Sequence, residues 1–215
     1  HNAGDSLSIG SNKVLAIFED RNKNIWVGTQ NGGLNRFNPD NETFTRFTRE
    51  NCGLRSNTIT SIIDDEFETI WVGTKNGLYK MKQTPGGIPA FKPYFHHKDS
   101  IYGISSNEIN IVYKDQLGVL WIGTNNGLNK YDPIVQSFIS YQHNNNNKYS
   151  LSNNVVRTVF QDKFGILWVG TDNGLNKFDR EAEKFIRYQT NLNDPNSLQN
   201  DRIWCIDQSR SGNVL

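Results

Sequence analysis

A five-residue phrase, Ile-Trp-Val-Gly-Thr at 25–29, returns unchanged at 70–74, as Leu-Trp-Ile-Gly-Thr at 120–124 and as Leu-Trp-Val-Gly-Thr at 167–171. The tryptophans Trp26, Trp71, Trp121 and Trp168 therefore stand 45, 50 and 47 residues apart. A period of that length restricts the chain to arrays whose unit is one supersecondary element stacked on its neighbours. Other features keep the same register. An aspartate precedes each Trp by six residues (Asp20, Asp65, Asp115, Asp162), and an asparagine precedes each aspartate by eight (Asn12, Asn57, Asn107, Asn154). An Asn-Gly-Leu element follows each Gly-Thr, with an extra glycine, Gly33, in the first copy. An aromatic pair three apart closes each copy: Phe44/Phe47, Phe91/Tyr94, Phe138/Tyr141 and Phe185/Tyr188.

Each period holds four short runs rich in β-branched and aromatic residues, separated by Asp-x-x-Gly and Asn-Gly turns. In the fourth copy these runs are 155–161, 166–171, 174–178 and 184–188. No segment carries a helical apolar period of useful length. Four antiparallel strands in 45–50 residues make a propeller blade, so the predicted class is all-β. Four complete blades are expected near 12–48, 57–95, 107–142 and 154–189, within a single domain spanning 1–215. A fifth copy begins at 201–215, with Asp201 in the asparagine slot, Ser209 in the aspartate slot and a first strand at 203–208. The tryptophans and aromatic pairs read as packing between blades. The aspartates read as turn closers that bond backbone amides, with calcium ligation the lesser alternative.

Charge narrows the function classes. The 23 basic and 22 acidic residues are interspersed and leave a net charge of +1. Nucleic-acid binding needs clustered positive charge, so no nucleic-acid partner is expected. No apolar run is long enough to cross a bilayer, so no membrane insertion is expected in this segment. Two cysteines, Cys52 and Cys205, are too few for a disulfide framework or a zinc site. The adjacent His96 and His97 lack a third ligand at suitable spacing. No metal and no cofactor is predicted.

The pattern Asp-x-x-Gly-x-x-Trp-x-Gly-Thr-x-x-Gly-Leu, with its aromatic pair and Ser-Leu-x-x-Asn loop, resembles the two-component regulator propeller repeat. Kelch double glycines and the Gly-His and Trp-Asp marks of WD40 repeats do not recur, and the Asp-box of sialidase-like propellers lacks the Gly-Thr-x-x-Gly-Leu tail. Departures are local: Lys23 and Glu68 replace the turn glycine, and Met81 replaces an aromatic. The resemblance implies a periplasmic or extracellular sensor of a bacterial hybrid histidine kinase or related signalling protein, whose ligand is often a carbohydrate. It also implies a ring with more blades than four, of which this chain is a fragment or an arc. An arc exposes apolar faces and strand edges at its ends. The expectation is closure by self-association, most simply two chains sharing one ring, with a small monomeric ring as the competing outcome.

The repeat supplies an internal control for a site. Positions that stay constant from copy to copy serve the fold, while those that vary are free to serve a ligand. Six and three places before the turn aspartate the residue is always apolar: Val14, Ile59, Ile109, Val156, Ile203, and then Ile17, Ile62, Val112, Val159, Ile206. Five places before, it reads Leu15, Thr60, Asn110, Arg157 and Trp204; seven before, Lys13, Thr58, Glu108, Val155 and Arg202. These two variable slots are expected at the entry of the strand lining the central channel. Asn110, Arg157, Trp204, Glu108 and Arg202 together suit a small sugar or sugar acid. Arg forks onto carboxylate or sulfate, Trp stacks on a pyranose face and Asn bonds hydroxyls. The plain alternative is a set of solvated channel positions. One Glu, two Arg and no His is thin for catalysis. The chain is therefore predicted not to be an enzyme, with a secreted polysaccharide lyase or an adhesive, protein-binding propeller as alternatives.

Overall fold

A computed structural model describes residues 1–2, 4–67, 69–83 and 88–214. Its folding unit starts at the turn aspartate. Asp20 Oδ1 accepts the backbone N–H groups of Asn22 and Asn24, each at 2.9 Å, and Oδ2 accepts the indole N–H of Trp26 at 2.8 Å. The same three bonds recur at Asp65 with Trp71, at Asp115 with Trp121 and at Asp162 with Trp168. One carboxylate thus closes the hairpin and fixes the indole beneath it. Lys23 takes the left-handed conformation (φ 65°) at the position where Gly118 and Gly165 stand in later copies, a conformation that favours glycine. Glu68 lies outside the described residues.

Each hairpin extends into a four-stranded sheet in chain order. The strands are β1 (Val14–Glu19), β2 (Ile25–Thr29), β3 (Leu34–Asn38) and β4 (Thr43–Phe47); then β5 (Ile59–Asp64), β6 (Ile70–Thr74), β7 (Gly77–Lys82) and β8 (Ala90–Tyr94); then β9 (Ile109–Lys114), β10 (Leu120–Thr124), β11 (Gly127–Asp132) and β12 (Ser137–Tyr141); and finally β13 (Val156–Gln161), β14 (Leu167–Thr171), β15 (Gly174–Asp179) and β16 (Lys184–Tyr188). Neighbouring strands pair antiparallel. These are propeller blades. One helical turn, Arg49–Cys52, lies between the first two and ends at Gly53 (φ 79°). The chain divides into two compact units, His1–His97 with Asn107–Val112, and Lys98–Ser106 with Tyr113–Leu215.

Within each unit, a seam joins successive blades by the same parts. The N–H of Gly33 donates to the Asn57 carbonyl and that of Gly77 to Asn107 in the first unit. Gly127 donates to Asn154 and Gly174 to Asp201 in the second. The invariant apolar residue two places on then presses against the glycine of Trp-x-Gly-Thr. A Cβ on Gly28, Gly73 or Gly170 would lie 2.8, 2.8 or 2.7 Å from Ile59, Ile109 or Ile203. That approach requires glycine. A third link varies: Gln83 Nε2 reaches the Asp20 carboxylate at 2.7 Å, and Arg180 Nη2 reaches that of Asp115 at 2.6 Å. Pro133 holds the matching position in the third copy and has no donor to offer.

Two expectations change. Each tryptophan also meets the second aromatic of its own blade, Trp26 on Phe47 at 5.8 Å, Trp71 on Tyr94 at 5.4 Å, Trp121 on Tyr141 at 6.2 Å and Trp168 on Tyr188 at 5.8 Å. Packing between blades is added to this, as where Trp121 meets Phe178 at 5.3 Å. The predicted fifth-copy strand at 203–208 is not formed. Ile203 N–H donates to the Thr171 carbonyl, and Gln208 makes an isolated bridge to Val214. An inner strand pairs along its length with the second strand of its own blade, and among the described residues the fifth copy has none.

Candidate functional site

The entry of the inner strand is built around a bulge. In β1, β5 and β13 the pairing skips one residue, between Val14 and Ala16, Ile59 and Ser61, and Val156 and Thr158. The skipped residues are Leu15, Thr60 and Arg157, the variable slot five before the aspartate. A bulge leaves its extra residue unpaired and re-aims the side chain. Just ahead of it, the residue seven before the aspartate accepts from the residue after Gly-Thr: Lys13 from Gln30, Thr58 from Lys75 and Val155 from Asp172. That pairing brings a third position to the same end of the blade.

In the first unit this end holds Glu108, exposed, and Asn110, whose side-chain oxygen accepts from Lys75 Nζ at 2.8 Å. In the second unit the structure gathers the other three predicted residues, Arg157, Arg202 and Trp204, around Asp172. Arg157 presents Nε and Nη2 to the two carboxylate oxygens, with Nη2 at 2.8 Å from Oδ2. Arg202 Nε stands 3.2 Å from Oδ1. The Trp204 ring completes the cluster, its centroid 4.4 Å from the Arg157 guanidinium carbon and 5.6 Å from that of Arg202. The indole is 64% exposed. The hydrogen bond from Arg157 holds the Asp172 carboxyl below its ordinary value, and the same bond raises Arg157. Arg202 and Trp204 also wall a cavity of about 770 Å³, with Trp168, Leu175, Tyr188 and Leu198.

Sequence comparison within the chain missed Asp172, although its own logic reaches it. The position after Gly-Thr reads Gln30, Lys75, Asn125 and Asp172, as varied as the two slots already singled out. Asn35, Asn129 and Asn176 were also missed. Each is fully buried. Their side-chain oxygens accept the backbone N–H of Gly10, Ser105 and Ser152, which pins the loop entering each blade. In the second copy Tyr79 takes this position and its hydroxyl accepts from Arg55 N–H at 2.8 Å. As for the turn aspartates, their oxygens are taken up by the amide and indole donors described above. Among the described residues, no three His, Cys, Asp or Glu side chains gather as metal ligands.

Comparison with known proteins agrees with this architecture. The chain is 26% identical to a solved chain described as the extracellular domain of a hybrid two component system, BT4673 of B. thetaiotaomicron. The TM-score is 0.75, and the match covers 94% of this chain and 25% of that one. This chain thus spans about a quarter of that relative's length. A second extracellular domain of a hybrid two component system, BT3049 of B. thetaiotaomicron, is 18% identical at a TM-score of 0.60, over 100% of this chain and 40% of that one. A virginiamycin B lyase from Staphylococcus aureus shares the fold at a TM-score of 0.64 and 10% identity, over 91% and 60% of the two chains. No curated protein matches the chain. The two component regulator propeller model matches four windows, residues 8–31, 53–76, 103–126 and 150–173. Each window ends two residues past a Gly-Thr, and with four copies of its repeat in register the chain belongs to the two-component regulator propeller family.

Proposed function

We propose that this chain is a ligand-binding part of an extracytoplasmic sensor in a bacterial two-component-type signalling protein, and that its ligand is a carbohydrate. The observation that carries the reading is the cluster of Arg157, Asp172, Arg202 and Trp204, built at positions that the repeat leaves free to vary. Two guanidinium groups, a carboxylate and an exposed indole bind polar, ring-shaped molecules. Likeness to extracellular domains of hybrid two component systems supports the sensor setting. Among the described residues no helix is long and apolar enough to cross a membrane. Binding rather than catalysis suits the groups present. Asp172, held low by Arg157, is a poor proton acceptor, because a general base works best with a pKa near the working pH. The likeness to the lyase, at 10% identity, extends to fold alone.

Thermal shift against a panel of oligosaccharides tests the reading. At least one sugar should stabilise the chain, and Arg157→Ala and Trp204→Ala should each abolish that shift. Stabilisation that survives both substitutions would place the site elsewhere.

A further inference from the structure

The two arginines of the cluster are not equivalent. Arg157 has a side chain 25% exposed, and both of its bonding nitrogens are committed to the two oxygens of Asp172. It serves as an anchor that holds the carboxylate and backs the Trp204 ring. Arg202 has a side chain 53% exposed and approaches Asp172 through Nε alone at 3.2 Å. Among the described residues no side chain or carbonyl accepts from its two terminal nitrogens. Two cations and one anion leave the cluster with one uncompensated positive charge, and Arg202 is where that charge meets solvent.

Beside it lies the exposed ring of Trp204, flanked by both guanidinium groups. A planar apolar face next to an open Arg fork asks for a ligand with two matching parts. These are a saturated ring whose C–H face rests on the indole, and a planar or tetrahedral anion that takes two parallel N–H bonds.

We propose that this site selects an acidic sugar, a pyranose carrying a carboxylate or sulfate, with Arg202 as the residue that reads the charge, Trp204 as the platform and Arg157 and Asp172 as positioning residues. The proposal rests on the carbohydrate-sensor reading above and names the ligand class within it. Asp172 acts as an internal stand-in for the ligand's anion. It occupies one nitrogen of Arg202 in the unliganded state and yields that nitrogen when a better-placed anion arrives. Discrimination follows from the charge that a neutral sugar leaves unpaired on Arg202.

Three probes of one shape test this by titration on the whole chain, with tryptophan emission as the readout: a trigalacturonate, its fully methyl-esterified form, and a galactose trimer sulfated at the same carbon. A charge-assisted hydrogen bond contributes about 1.5–3 kcal/mol, so at least one acidic probe should bind roughly 10- to 100-fold more tightly than the ester. Arg202→Gln should bring that ratio towards one. Asp172→Asn, which removes the competing anion, should leave the preference for acid in place or increase it. The emission change should shrink sharply in Trp204→Phe, since Trp204 is 64% exposed while Trp26, Trp71 and Trp121 are fully buried. Trp168, which walls the same cavity, accounts for any remainder. An ester that binds as well as both acids, with emission still reporting through Trp204, overturns the acidic-sugar assignment and leaves sugar binding standing. Silence from all three probes overturns both readings. A preference that survives Arg202→Gln moves the charge reader to another residue and also overturns the assignment. Which acid binds more tightly distinguishes carboxylate from sulfate.

Discussion

Asp115 collects four hydrogen bonds on two oxygens, from the amides of Leu117 and Val119, the indole of Trp121 and the guanidinium of Arg180. Its side chain is fully buried against Arg180, itself 29% exposed. Asp115→Asn keeps the size and turns one acceptor into an NH₂ group that faces donors. If the amide oxygen stays on the turn amides, the Trp121 indole N–H loses its partner, at about 1–3 kcal/mol. The bond to the charged Arg180 is lost as well, for about 1.5–3 kcal/mol. Together these come to about 2.5–6 kcal/mol, which brackets the roughly 3–5 kcal/mol seen when one partner of a buried ion pair is removed. Asp162 provides the internal control. It makes the same bonds to two amides and an indole, with no arginine among its described partners, so Asp162→Asn should cost only about 1–3 kcal/mol. Urea unfolding followed by circular dichroism measures both variants, and a double-mutant cycle with Arg180→Met isolates the seam contribution. Equal losses in the two aspartate variants, with no coupling between Asp115 and Arg180, would refute the claim that this ion pair ties neighbouring blades together.

Further expectations concern the seam, the solvent edge and pH. Gly73→Ala places a methyl group 2.8 Å from Ile109 and should cost about 1–3 kcal/mol as overpacking; a melting temperature unchanged from the parent would contradict that contact. Val14, Leu15 and Ile17 on β1 are 43%, 47% and 71% exposed, whereas Ile59 and Ile62 at matching positions are buried. Sedimentation velocity should accordingly show concentration-dependent association that Ile17→Glu relieves, and a monomer at every concentration would count against it. Burial, reinforced by the charge of Glu183, pushes the Tyr141 phenol up to about 12 from 10.0. A folded pKa above the unfolded one means this stabilisation is whole below pH 10 and lost as pH rises through about 12. The urea midpoint should fall across that window, and less steeply in Tyr141→Phe.

The blades were legible because their chemistry is local. An aspartate, a turn and a tryptophan six residues on form one bonded unit without help from elsewhere in the chain, and four copies give the pattern away. The bulge was written in the sequence too, although it was not recognised. Apolar residues three apart, such as Ile59 and Ile62, face opposite sides of a regular strand. Both are buried here, which an intervening extra residue allows. The candidate cluster was only partly legible. Arg157, Arg202 and Trp204 stood out as variable, but Asp172 reaches Arg157 through a pairing of 155 with 172 that depends on strand register. The missing strand at 203–208 shows the same boundary from the other side. Its residues have the right propensity, but a strand exists only with a partner to bond.

The seams have a bearing on how such chains change over time. Each joint has a socket on the departing blade, made of a free glycine N–H and the hollow beside the Gly-Thr strand. It has a plug on the arriving blade, an Asn or Asp carbonyl followed two residues later by Ile or Val. Every copy carries both halves, so the joints are interchangeable. A segment of 45–50 residues cut at that Asn can follow any other copy, and duplication or loss of a unit requires no new interface. The bulge residue and its two companions also reach the next copy in places, as where Thr60 donates to the Ile109 carbonyl and Lys75 to Asn110. The glycine bond and the apolar plug nevertheless keep the same form whatever stands there. The identity of those three residues changes from copy to copy, and recognition can be rewritten between two successive copies without remaking the seam that joins them.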